Sequence, residues 1–169
     1  MRVFLSYSLG PGAQALAWRL QTLAAAHGIR VDVPRRKTYQ ISQAEYDGAH
    51  KQDLGKMARA DCVLLIVAAD NQQARLAIRD EVNQALGRKK LIIPIVKEGL
   101  EHRHAARGVL EEASVPTFIL SLKDGPGSVE GEIAQYLKSG GLAEAKQRAV
   151  QALVAIALGL VSLTSLAEK

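Results

Sequence analysis

The stretch DCVLLIVAADNQQARLAIRDEVNQALGRKKLIIPIV, residues 61 to 96, decides the fold. An apolar run from Cys62 to Ala68 gives way to a polar segment, and a second apolar run follows from Leu91 to Val96. A strand with one wet face alternates polar and apolar residues, whereas a continuous run is expected of a parallel strand covered by helices on both faces. The order is therefore strand, helix, strand, the unit from which parallel sheets are built. It places Glu81 on the helix that opens beyond the carboxyl end of the first of these strands. In open α/β sheets that end is where the ligand crevice lies, so one carboxylate is expected near a pocket.

Working outward, Val3 to Tyr7 is a short apolar strand, and Ser8 to Gly12 (SLGPG) is a turn in which Pro11 suits the start of a helix. Leu16, Leu20, Leu23 and Ala24 recur at helical spacing over Ala13 to His27, and Gly28 is placed to close that helix. Ile29 to Val33 is the second strand, stopped by Pro34, and the basic, polar segment Arg35 to Ser42 is a loop. A helix from Ile41 or Ser42 to Ala60 is predicted, with Ile41, Ala44, Leu54, Met57 and Ala58 on one face and weakened by Gly48 and Gly55. After Val96 comes a charged loop, Glu98 to Arg107, carrying His102 and His104. A short helix near Gly108 to Ala113, a fifth strand from Thr117 to Leu122, and a helix from the turn at Asp124 to Ser128 as far as Leu137 complete the alternation. The expected fold is α/β: a five-stranded parallel sheet, flavodoxin-like and doubly wound, over residues 1–141. An apolar helix is added over residues 142–169.

The composition narrows the function. At 169 residues and 48% hydrophobic, the chain suits one globular domain. Aromatic residues make up only 4%, too few for the stacking platforms of single-strand nucleic-acid binders. The net charge of +5 is scattered except at Arg35, Arg36 and Lys37, the pattern of a solvated surface, so no specific nucleic acid is expected as partner. The single cysteine, Cys62, lies in an apolar strand and reads as core, which excludes an internal disulfide and suits a reducing compartment. The chain opens on a strand, not on a secretory leader, so the cytoplasm is the expected location. Isolated His27 and His50, and His102 and His104 two apart in a loop, lack metal-ligand spacing; no metal and no bound cofactor is expected.

The tail is a separate problem. Ala149 to Ala167 is uncharged for nineteen residues, close to the ~20 that span a bilayer, yet it includes Gln151, Gly159, Ser162, Thr164 and Ser165. Packing on the sheet or on a partner subunit is the leading expectation, with membrane contact and a surface amphipathic helix as alternatives. Each of these leads to association through this segment.

VFLSYS at positions 3 to 8, GIRV at 28 to 31, ARADCVLLIV at 58 to 67 and RDEVNQALGRKKLIIPIV at 79 to 96 together resemble the Toll/interleukin receptor (TIR) domain, over roughly residues 3 to 122. The resemblance implies that Arg35 to Gln52 is the loop through which such domains make contacts. It also implies an activity. In the enzymatic members a glutamate on the helix after the third strand cleaves the bond between nicotinamide and ribose in NAD, and Glu81 falls on that position. The implied protein is a bacterial NAD-cleaving defence or signalling effector that works self-associated, with NAD or a related nucleotide as substrate, not cofactor. Where those members carry Trp, Cys or Ser a turn before the glutamate, this chain has Ala77 and Ile78.

The chemistry is intelligible from the residues. Breaking an N-glycosidic bond develops oxocarbenium character, which a carboxylate beside the ribose stabilises. Ser6, Tyr7 and Ser8 at the end of the first strand, Asp70 and Asn71 at the end of the third, and Arg75 beyond them are the candidate substrate contacts. Neither G-x-G-x-x-G nor a GK[ST] phosphate loop occurs, so strand-end residues must bind any nucleotide. The competing reading of Glu81 is a solvated helical carboxylate beside Asp80, in a TIR-like module that only assembles. A nucleoside 2-deoxyribosyltransferase-like enzyme is the remaining alternative; Asp70 fits its pattern, but the Gly-Thr pair expected before the glutamate is absent.

Overall fold

Parallel strands need crossover helices, and the chain supplies one after every strand. The computed structural model describes residues 1–8, 13–34, 43–70, 72–121, 126–139 and 143–167. Its elements are β1 (Arg2–Ser8), α1 (Ala13–Ala26), β2 (Arg30–Asp32), α2 (Gln43–Ala58), β3 (Cys62–Val67), α3 (Gln72–Gly87), β4 (Leu91–Lys97), α4 (Arg107–Glu112), β5 (Phe118–Leu120), α5 (Pro126–Ser139) and α6 (Glu144–Ala167), with a 3-10 turn at Glu101–Arg103. The strands form one five-stranded sheet in the order β2-β1-β3-β4-β5, every pair parallel. This is the doubly wound order whose direction of winding reverses between β1 and β3.

Alternation along each strand divides the core in two. Val3, Leu5 and Tyr7 of β1 join Leu64, Ile66, Ile93 and Ile95 under α1, α5 and α6. Phe4 joins Val63, Leu65, Val67, Ile92 and Val96 under α2, α3 and α4. The continuous apolar runs of β3 and β4 are thus buried on both faces.

Some boundaries and faces differ from expectation. On α1 the buried stripe is Ala17, Leu20 and Ala24, while Leu23 is 45% exposed, because three small or medium residues already meet the sheet at helical spacing. Gly28 closes α1 as predicted, with φ +69° and the Ile29 N–H donating to the Ala24 carbonyl at 3.0 Å. The second and fifth strands are shorter than their apolar runs, at three residues each. Both are edge strands with a partner on one side only among the described residues. Leu54 and Met57 of α2 turn inward as expected. The turn at residues 9–12, the loop at 35–42, Asn71 and Leu122 to Gly125 lie outside the described residues.

α6 is part of the domain core. Val150, Leu153, Val154, Ala157, Leu158 and Val161 form one buried stripe against α1 and α5. Its first turn is anchored at the amino edge of the sheet, where Lys146 Nζ donates to Asp61 Oδ1 at 2.7 Å and the Arg2 N–H to Asp61 Oδ2 at 2.8 Å. These donors hold the Asp61 carboxyl below the usual range, Lys146 most strongly. A helix of 24 residues is about 36 Å long, more than the ~23 Å of a seven-residue strand. Its far end therefore outruns the sheet, and Leu163 is 66% exposed. Glu144–Leu163 has the length and hydropathy of a membrane span by composition, but its buried stripe is spent on the domain.

Candidate functional site

The register sets three strand ends level: Ser8 pairs with Val67, and Val67 with Val96. Beyond this rim, between the loop after β3, the first turns of α3 and the segment after β4, lies a small cleft lined by Ser8, Val67, Asp70, Arg75, Ile78 and Arg103 among others. It sits where Ser8 of β1 meets Val67 of β3, the reversal point of the sheet and the expected ligand position.

Three of the sequence-predicted residues meet there. Asp70 accepts from Arg75 Nη2 in a short ion pair and from Arg103 Nη1 at 3.2 Å. The hydrogen bond from Arg75 foremost, and then the charges of Arg75 and Arg103, hold the Asp70 carboxyl below the usual carboxylate range against the opposing effect of burial. The third, Ser8, donates its hydroxyl to the Ala69 carbonyl at 2.8 Å, while its own carbonyl accepts from Ala68 and Ala69. Ser8 thus fixes the shape of the rim between β1 and β3.

Glu81 occupies a different position, one layer below. The inward stripe of α3 is Ala74, Ile78, Glu81, Val82 and Ala85, so the carboxylate stands on the core face of its helix at 1% exposure; it is not solvated. Ser6, itself fully buried, donates its hydroxyl to Glu81 Oε2 at 2.5 Å. Ser6 precedes Ser8 by two residues on the same strand face, about 7 Å toward the amino edge. Glu81 follows Ile78 by three on the same helix stripe, about 4.5 Å further along the axis. The Ser6–Glu81 pair therefore lies one step further in than Ser8 and Ile78, which line the cleft, and does not line it itself.

Tyr7 goes elsewhere: alternation turns it to the opposite face, into the core under α1 and α6. Asn71 lies outside the described residues. Arg103 is a contributor that sequence reasoning missed, since a charged residue in a charged loop carries no periodic signal.

His104 was also missed. It was expected only as part of a charged loop, but it is 5% exposed and its Nδ1 accepts from the Ala106 N–H at 3.1 Å. The proton of the neutral ring then resides on Nε2, which has no partner among the described residues. Burial lowers the imidazole's pKa to about 4. Cys62 is buried, and burial foremost raises its thiol pKa to about 12, which rules it out as a nucleophile near neutrality.

Fold and cleft together define an open, doubly wound α/β domain with a basic crevice at the point where its winding reverses. No family model matches the chain, and no curated protein matches it. Among solved structures it is similar to the TIR domains in the structure of the activated Roq1 resistosome directly recognizing the pathogen effector XopQ. The identity is 9%, the TM-score 0.43, and the match covers 92% of this chain and 82% of that one.

Proposed function

We propose that this chain is a TIR-like enzyme that cleaves the bond between nicotinamide and ribose in NAD or a related nucleotide, with Glu81 as the carboxylate that meets the ribose. The observation that carries this reading is a buried carboxylate, held by the Ser6 hydroxyl, one step further in than the residues that line a basic cleft at the carboxyl rim of the sheet. The sequence resemblance over residues 3 to 122 adds to it.

In the proposed reaction the C1′–N bond breaks with its electron pair leaving on nicotinamide, which departs neutral. The positive charge left on the ribose is stabilised by Glu81. Water then adds at C1′ and loses its proton to solvent, or a ring nitrogen of the adenine takes that place and gives a cyclic product. Catalysis needs the ribose to reach Glu81, so Ile78 and the rim must move first. Self-association is the proposed source of that movement, which makes activity rise more steeply than protein concentration.

The test is release of nicotinamide from NAD by purified protein at dilute and concentrated levels, with Glu81→Gln alongside. Wild type should release it and the variant should not. A second reading, a module that assembles without chemistry, is favoured by one observation: Glu81 does not itself line the cleft. It gains if neither protein releases nicotinamide at any concentration while both associate equally.

A further inference from the structure

Two guanidiniums face one carboxylate in the rim cleft, and that imbalance leads further than the cleft's shape. Arg75 comes from the second turn of α3 and Arg103 from the 3-10 turn after β4, and both end on Asp70. The three groups sum to +1, and no other carboxylate lines the cleft among the described residues. Arg75 Nε is buried and has no hydrogen-bond partner among the described residues, although Nη2 of the same side chain is engaged. A guanidinium offers five N–H donors in a rigid fork, so a carboxylate shared between two of them leaves donors to spare. The amino-terminal end of α3, starting at Gln72, adds its positive dipole end to the same rim.

The volume limits what can enter. The space left between these side chains, about 10 Å³, holds no more than a water molecule, so a ligand group reaches the arginines only by displacing Asp70 from them. With a net positive charge and spare forked donors from two directions, that group is a polyanion with oxygens on more than one side. We propose that Arg75 and Arg103 bind the diphosphate of a nucleotide, and that Asp70 is its built-in competitor, occupying both arginines until the diphosphate displaces it. The proposal depends on the NAD reading only for which nucleotide carries the diphosphate.

Displacement fixes a sign that no bracing role shares. Asp70→Asn removes the competing charge and keeps the shape, so it should tighten diphosphate binding; an Asp70 needed to hold the arginines in place would loosen it. Calorimetric titration of the full chain with inorganic pyrophosphate, and separately with ADP-ribose, measures this directly. Arg103→Gln should weaken both about tenfold, the scale of one charge-assisted hydrogen bond, and Arg75→Gln at least as much. Asp70→Asn should strengthen both several-fold. Circular dichroism checks folding; should Arg75→Gln not fold, the other two variants decide.

Arg103→Gln binding within twofold of wild type, or Asp70→Asn binding more weakly, overturns the proposal. So does equal affinity for orthophosphate and pyrophosphate, which would reduce the site to a single-phosphate contact. These are binding measurements and stand apart from turnover. Pyrophosphate binding without nicotinamide release under any condition keeps this site and removes the enzyme reading. Nicotinamide release that Arg103→Gln leaves untouched does the reverse.

Discussion

Acidification should destabilise this fold through one side chain, His104. In the folded chain its pKa lies at about 4, against an ordinary value near 6.5. The folded state therefore keeps the ring neutral where the unfolded chain has already taken up a proton. Above pH 6.5 neither state is charged and the group contributes nothing. Between pH 6.5 and 4 the unfolded state binds more protons, and stability falls with a slope of up to about 1.4 kcal/mol per pH unit. At about 1.36 kcal/mol per pKa unit the loss reaches on the order of 3 kcal/mol, a large part of the 5–15 kcal/mol typical of a domain. Asp61 and Asp70 act in a lower window. Their folded carboxyls are held below the usual range, so their contribution is complete above about pH 4 and is lost only as pH falls further. Urea unfolding of wild type and His104→Gln at pH 7.5, 6, 5 and 4.5 isolates the imidazole, because glutamine still offers an oxygen to the Ala106 N–H and cannot be protonated there. The expected result is that wild type loses on the order of 3 kcal/mol relative to the variant across this range. Parallel curves would refute both the burial and the tautomer assigned to this ring.

Other perturbations follow from the same contacts. Ser6→Ala removes the hydroxyl donor to Glu81 and should cost about 1.5–3 kcal/mol in urea unfolding at pH 7.5; an unchanged midpoint would mean that the hydrogen bond carries no weight. Ile78→Ala should cost about 2–4 kcal/mol as a core truncation, yet raise nicotinamide release by uncovering Glu81; release that falls in proportion to folded protein would count against Ile78 as the cover. Deleting the chain from Ala149 onward removes the buried side chains of Val150, Leu153, Val154, Leu158 and Val161 at roughly 1.5–3 kcal/mol each, comparable to the whole stability of a domain. The truncated chain should lack a cooperative unfolding transition, and a cooperative one near the wild-type midpoint would show that α6 is dispensable.

The sheet was legible because its central strands are buried on both faces: CVLLIV and LIIPIV have no polar residue to blur the pattern, and the five-strand count follows from them and their neighbours. Glu81 was legible in position but not in environment. Its place on the inward stripe with Ile78 and Val82 could be counted from the spacing, but a glutamate on an apolar stripe is also what a solvated helix edge looks like until the opposing strand is known. The partner that settles it, Ser6, is 75 residues away. Arg103 and His104 were illegible for a different reason. Both sit in a segment without periodicity, and the burial of His104 comes from how the segment after β4 folds back, which no local pattern encodes. The face of Tyr7 could have been read, since Val3, Leu5 and Tyr7 alternate with Ser6 and Ser8 on one strand. Strand-end proximity alone had grouped all three hydroxyls.

Glu81 is a poor choice if the fold alone is considered. A carboxylate at 1% exposure loses its hydration, and the Ser6 hydroxyl returns only part of that. Replacing both partners of a buried polar contact with apolar groups of similar shape is commonly neutral or stabilising, whereas removing one partner is costly. The double variant Ser6→Ala/Glu81→Met should accordingly be more stable than Ser6→Ala alone, in which the buried carboxylate has lost a donor. If so, the fold does not depend on the carboxylate, and a use for it is sought in the cleft above it. A double variant less stable than Ser6→Ala alone would instead make Glu81 a structural residue of α3, and the enzyme reading would lose its support. Urea unfolding of the four proteins of this cycle at pH 7.5 decides between the two, without substrate, and therefore independently of whatever state of assembly activity requires.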